Sequence, residues 1–221
     1  MQEREVRETA LSLKTGTSPD SDGLPPELYW ELLEPLMPVL TNVFNSSLHH
    51  GALSPSQYDT ILVLLAKLGV LTDIRNWRPI ALLNTDYKIL ARVLKRRLGE
   101  AADRLVHCNQ SNAVRGRTVA DSSCSVWEVC ECACWKQWEG HLLALDQSEV
   151  FDHVSLNYLW KVLKQYGLPW DFIRWLQVLY KQALVCPLVN SWLGNKVPVH
   201  MDIKQSCPLS PFCTCCLWTL F

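Results

Sequence analysis

What this chain has least of is net charge. Its 21 lysines and arginines stand against 22 aspartates and glutamates, a formal balance of −1 at pH 7. A protein that holds nucleic acid by its overall field carries a basic surplus, so any such contact here must come from local clusters. Long apolar runs are missing too. "ILVLLA" at 61–66 and the closing "CCLWTLF" fall well short of the roughly 20 residues that a membrane-spanning helix needs. The opening "MQEREVRETALSLK" is a charged amphipathic helix, not the basic-then-apolar pattern of a secretory signal. The expectation is an intracellular protein, cytoplasmic or nuclear, with no membrane contact. No internal repeat and no low-complexity tract interrupts the chain.

Cysteine, by contrast, is abundant, with ten residues. Cys130, Cys132 and Cys134 form one cluster and Cys213, Cys215 and Cys216 another. Such spacings are too close for ordinary bridges between distant segments, and reduced thiols of an intracellular protein are the expected state. The C-x-C-x-C spacing is not that of the usual zinc frameworks. A zinc-stabilised helical protein is a reading that rests on the clustering alone. With 48% hydrophobic and 19% charged residues, the composition is that of a folded protein. Its 221 residues can bury a real core in one domain or two small subdomains.

Residues 3–14 read as a helix that ends before "GTSPDSDGLPPE", a loop rich in Gly, Pro, Ser and Asp. A helical pattern resumes over 26–50, bent or divided by Pro35 and Pro38, and stops at Gly51. "DTILVLLAKLG" suits a buried strand entering a turn, and "NWRPIALLN" (76–84) a returning strand. "TDYKILARVLKRRLGEAADRLV" has helical spacing, with Thr85 or Asp86 as cap and one dense basic cluster, Lys95, Arg96 and Arg97. Residues 120–138 read as helical. After Gly140, "HLLALD" reads as a strand ending at Asp146. A helix follows Ser155 to about Tyr166, and "WDFIRWLQVLYKQA" is another. "LVCPLV", "NSWLGN" and "KVPVHMDI" read as a hairpin, "KQSCPLSP" as a loop, and the chain closes in a further helix.

The sequence "LALDQSEVFDHV" sets one carboxylate, Asp146, after an apolar run and a second, Asp152, behind Phe151. Strand, carboxylate, turn and helix is how a nucleotidyl-transfer site places a metal ligand, because a hard cation such as Mg²⁺ wants oxygen donors. Read from the residues alone, Asp146 is equally a strand-terminal Asp capping a turn, and Asp152 a cap or an ion-pair partner.

Five segments in order turn this pattern into a resemblance. "SPDSDGLPPELY" (18–29), "NWRPIALLNTDYKILARVLKRRL" (76–98), "NQSNAVRGRTVADS" (109–122), "LALDQSEVFDHV" (143–154) and "IKQSCPLSPF" (203–212) resemble the corresponding segments of reverse transcriptases from non-LTR, LINE-type retrotransposons. The resemblance implies an α+β, right-hand polymerase fold. A fingers subdomain over 1–140 would join a partial palm over 141–221, an antiparallel sheet backed by helices. It implies RNA-directed DNA polymerisation with Mg²⁺, an RNA template, a DNA primer and dNTP as partners. Asp146 would be the catalytic and metal-binding carboxylate. Arg78, and less directly Lys67, would hold the triphosphate, since a guanidinium fork offers paired donors to phosphate oxygens. Phe151 would pack under the incoming sugar, and Gln205 would border the nucleotide. Lys95, Arg96, Arg97, Arg115 and Arg117 would meet template or primer phosphates. Core packing for Phe151, a surface ion pair for Arg78 and a solvated helix face for Lys95–Arg97 stand beside these roles.

The chain also departs from the pattern. The family's Asp-Asp hairpin, which supplies the remaining carboxylates, is not found in these 221 residues, and two dications on one carboxylate would repel each other. Glu149 stands where the family has Lys, Val150 where it has Ala, and Ala113 and Val114 where it has Gly-Phe. Ser206 takes the place of a Gly beside the nucleotide, where a side chain would either obstruct backbone approach or demand a conformation that Gly tolerates better. The expectation is a segment of a retroelement polymerase that is inactive alone. Its palm edge would be left uncovered and prone to self-association. The alternative is a non-catalytic RNA-binding or structural remnant.

Overall fold

The computed structural model describes residues 1–112, 114, 116–146, 153–181, 183–199, 204 and 206–218. Helix α1 (Glu3–Leu11) begins with the Glu5 carboxylate accepting the Gln2 amide at 2.9 Å, which occupies a donor the first turn leaves unpaired. Helices α2 (Pro26–Glu31) and α3 (Leu33–His50) follow. The expected break falls at Leu32 (φ −100°, ψ 27°) rather than at a proline. Pro35 lies in the first turn of α3, where an amide has no helical partner to lose, and Pro38 is carried inside the helix. Gly51, at φ 70°, ends α3 in the left-handed conformation.

A short α4 (Pro55–Tyr58) leads into β1 (Asp59–Ala66), which returns through the 3₁₀ turn Ile74–Asn76 as β2 (Trp77–Leu82). Five helices come next: α5 (Thr85–Gly99), α6 (Ala102–Leu105), α7 (Val119–Trp135), α8 (Leu156–Gln165) and α9 (Trp170–Tyr180). Strand β3 (Leu184–Val189) pairs antiparallel with β4 (Trp192–Leu193) at one end and β5 (Val197–Pro198) at the other. Helix α10 (Ser210–Trp218) is the last described element.

The sheet runs β2-β1-β3-β4, with β5 also on β3. β1 and β2 are antiparallel, but β1 and β3 are parallel, Asp59 opposite Leu184 and Val63 opposite Leu188. The fold is therefore α+β with a mixed sheet, which corrects the expected antiparallel one. Residues 67–183, with β2 and five helices, make a crossover long enough to bring β3 back in the same direction. One sheet thus joins strands from both sides of position 140.

A second correction concerns "HLLALD". Residues 141–146 form no strand. Leu142, Leu143 and Leu145 are 72%, 76% and 84% exposed. Among the described residues no strand pairs with this segment, and a segment without a pairing neighbour gains nothing from strand geometry.

The core gathers around α5, which buries Tyr87, Ile89, Leu90, Leu94 and Leu98. Helix α1 packs on both α5 and α3, α9 on α3, and α8 on α9 and α10. From α10, Phe212, Cys213 and Cys216 enter the same cluster. Burial pushes the Cys215 thiol up to about 11 and the Cys216 thiol up to about 12, so both are neutral packing groups. The ten cysteines are free thiols. Among the described residues, no group of three or more His, Cys, Asp or Glu is placed to hold a metal, and no helix is long and apolar enough to cross a membrane.

Candidate functional site

The β1–β2 hairpin brings Lys67 and Arg78 together. Its register sets Leu65 opposite Arg78, and the Lys67 amide donates to the Asn76 carbonyl at 2.7 Å, one step beyond the ladder. Side chains alternate along a strand, so Lys67 continues the face that carries Leu65 and Arg78. The tip is held by its own side chains. Asn76 Nδ2 donates to the Val70 carbonyl at 2.8 Å and Trp77 Nε1 to the Leu71 carbonyl at 2.9 Å. Arg75 pairs with Asp73 at 2.7 Å. Gly69 has φ +130°, and a Cβ there would lie 2.8 Å from Asn76 Nδ2, so only glycine fits. Arg78 is exposed, and Lys67 Nζ reaches the Arg75 carbonyl at 3.4 Å. An ammonium and a guanidinium on one rigid hairpin can serve the oxygens of a single polyphosphate.

The turn before α10 is anchored from below. Lys204 is buried, its Nζ 4.4 Å over the Tyr87 ring and 3.4 Å from Thr60 Oγ1. Its carbonyl accepts Ser210 Oγ at 2.8 Å, and Ser210 meets Tyr180 Oη at 3.2 Å. Both tyrosine hydroxyls lie 3.9 Å from Cys207 Sγ. Lys204 also lines a cavity of about 340 Å³ over the sheet, with Thr60, Leu62, Ala81 and Val185. Sequence reasoning singled out the adjacent Gln205 and missed Lys204. The only local signal was a lysine inside "IKQSCPLSP", and its burial comes from distant packing. Ser206 adopts φ +85°, the second of the two alternatives read at this position, a left-handed backbone where the family pattern has glycine.

Asp146 is exposed at the end of the irregular 141–146 segment. A hard dication needs several oxygen donors, and a lone exposed carboxylate does not supply them. The described residues therefore do not compose a Mg²⁺ site. Phe151, Asp152, Gln205 and Arg115 lie outside the described residues.

The basic candidates are largely occupied within the fold. Arg97 forms a two-pronged pair with Glu5 at 2.8 and 2.7 Å, and the neighbouring guanidinium holds the Glu5 carboxyl down at about 2. Arg96 meets Glu8 at 2.8 Å, while Lys95 is exposed. Arg117 Nη1 donates to the carbonyls of His107 at 2.6 Å and Gln110 at 3.0 Å. It organises the loop that precedes the Thr118–Asp121 capping box of α7.

A sequence model of the family described as reverse transcriptase (RNA-dependent DNA polymerase) matches residues 67–218. The chain belongs to the reverse transcriptase family. The Transposon TX1 uncharacterized 149 kDa protein of Xenopus laevis is 33% identical over 193 residues. Those residues are 87% of this chain and 15% of that protein. Together with the family match, this relative identifies a reverse transcriptase domain of the non-LTR retrotransposon type. Reverse transcriptases use divalent metal ions and bind a nucleic-acid template and a nucleotide substrate.

Proposed function

We propose that this domain serves RNA-directed DNA synthesis in a non-LTR retrotransposon, with the β1–β2 hairpin as its triphosphate-gripping element. The right-hand division, fingers over 1–140 and palm over 141–221, belongs to the same proposal. The observation that supports it best is the placement of Lys67 and Arg78 on one face of a hairpin whose turn and second strand open the matched stretch. Arg78 would grip the triphosphate, Lys67 would support it, and Phe151 and Gln205 would border the sugar and base. Asp146 would carry Mg²⁺ once further carboxylates joined it. Because the 221 residues contain no Asp-Asp pair, this segment by itself is expected not to extend a primer. Lys95 and Arg115 would meet template phosphates. Arg96, Arg97 and Arg117 would do so only after giving up bonds they already make.

A second reading, an RNA-binding segment without nucleotide chemistry, is favoured by the absence, among the described residues, of further metal-binding side chains grouped with Asp146. Equilibrium binding of dNTP and of an RNA–DNA primer–template separates the two. The polymerase reading expects dNTP binding that weakens about tenfold or more in Arg78→Ala, since a charge-assisted fork contributes roughly 1.5–3 kcal/mol. RNA binding with no dNTP binding would leave the second reading standing.

A further inference from the structure

Away from the hairpin face, one buried group has half its bonding capacity unused. Asp20 is only 6% exposed. Its Oδ1 accepts the Ile61 amide at 3.2 Å, while Oδ2 is buried and meets no donor among the described residues. Ile61 lies in β1, the strand between β2 and β3, opposite Leu82 on one side and Cys186 on the other. The rest of the loop is tied down by other groups. Gly23 donates to the Asp20 carbonyl at 3.0 Å, Leu24 to Asp22 Oδ1 at 3.0 Å, and Thr85 Oγ1 to the Leu24 carbonyl at 2.7 Å. The 20–24 loop is thus fastened to the start of α5 by a hydroxyl and to β1 by a carboxyl.

We propose that Asp20 is a positioning residue, a proton-dependent latch that fastens the 20–24 loop to β1 and seats the β1–β2 hairpin. A carboxyl enclosed this way favours its neutral form, because the ionised form would bury a charge with one oxygen unserved. The groups around it divide. Asp22, on the same loop, opposes ionisation, while Lys88 on α5 and the Ile61 and Ser21 amides favour it. Asp86 on α5 stands near Asp22 and is itself pushed up by burial. Desolvation is the largest influence and pushes Asp20 up to about 6. The folded state therefore holds the extra proton between the ordinary carboxyl range and about 6. The latch is fully present below that window. As pH rises through about 6 the ionised carboxyl, although a better acceptor for the Ile61 amide, gains more by leaving its buried place for water, and the loop is released from β1. Its bearing on nucleotide grip rests on the polymerase reading; the latch itself does not.

Amide hydrogen exchange on the 221-residue chain tests it, each rate divided by the intrinsic rate at that pH. Between about pH 5 and about pH 7.5, Ile61 protection is expected to fall roughly tenfold in the wild type. It should stay constant in Asp20→Asn, which keeps the Oδ1 acceptor and cannot ionise. Unchanged wild-type protection, or an equal fall in Asp20→Asn, would overturn the latch. Should Asp20→Asn not fold, carbon-13 titration of the wild-type Asp20 carboxyl decides. A midpoint near 6 is expected, and one in the ordinary range near 4 overturns it. Failure of dNTP binding would count against the polymerase reading and leave the Ile61 result untouched.

Discussion

Helices α5 and α7 have similar lengths, 15 and 17 residues, and opposite fates. α5 buries eight of its residues and α7 buries none. Apolar content does not separate them, since α7 carries Val126, Val129, Trp127 and Trp135, all exposed. Arrangement does. In α5, Tyr87, Leu90, Ala91, Leu94 and Leu98 recur three and four apart and form one stripe, with Lys88, Lys95 and Arg96 off it. In α7 the apolar residues and cysteines lie around the whole circumference. The capping box at Thr118–Asp121 is enough to start that helix but cannot give it a face to bury. The contrast continues along the chain. Arg78 and Lys204 hang from elements anchored in the core, whereas Asp146 follows α7 and an exposed Leu-rich segment.

The largest expected effect tests that contrast directly. Leu94→Ala empties a fully buried site and should cost about 2–5 kcal/mol by urea unfolding. Trp127→Ala removes a side chain that is 72% exposed and should change stability by less than about 0.5 kcal/mol. A Trp127 cost above roughly 1 kcal/mol would mean that α7 is packed after all.

The same contrast explains what could be read in advance. The β1–β2 hairpin, α5, α8, α9 and the turn that ends β3 announce themselves by local period and punctuation, whereas β4 falls inside "NSWLGN", a stretch read as turn. Gly167, for example, sits at φ +74° just past α8. The cap of α5 falls at Asn84, just before the expected Thr85 or Asp86. Parallel pairing of β1 with β3 was not legible, because it depends on which strands a long crossover brings side by side. "HLLALD" has a strand's composition, but a strand also needs a partner, and composition does not show one. For Arg96, Arg97 and Arg117 the sequence shows a cation; it does not show that the fold supplies Glu8, Glu5 and the 107–110 carbonyls as counterparts. The metal reading of Asp146 rested on a pattern whose remaining carboxylates are not in this chain.

A smaller effect sharpens the packed side of the comparison. The Glu5–Arg97 pair joins α1 to α5, and both side chains are partly exposed, 26% and 35%. Glu5 is held down at about 2, below its ordinary value near 4.3. A depressed carboxyl stabilises the fold above its unfolded value, and that stability disappears as pH falls toward about 2. After allowance for solvent screening, Glu5→Gln should cost about 1 kcal/mol at neutral pH. The gap from wild type should close in acid and shrink in about 1 M salt. A pH-independent cost would mean that Glu5 contributes by packing and not by charge.

The smallest effect lies at the turn between these two regimes. Ser206 holds φ +85° beside a Lys204 that is pinned over Tyr87, so packing on either side fixes a backbone that serine disfavours. A non-glycine residue in this region costs about 1–2 kcal/mol. Glycine would remove that strain but give back roughly 0.5–1 kcal/mol through the extra freedom of its unfolded chain. Ser206→Gly should therefore raise stability by less than about 1 kcal/mol, measured by thermal unfolding, whereas Ser206→Val should lower it, because a β-branched side chain fits this region worst. A neutral Ser206→Val would show that the turn can relax to negative φ. In that case the anchoring by Tyr87, Tyr180 and Ser210 is looser than their distances imply.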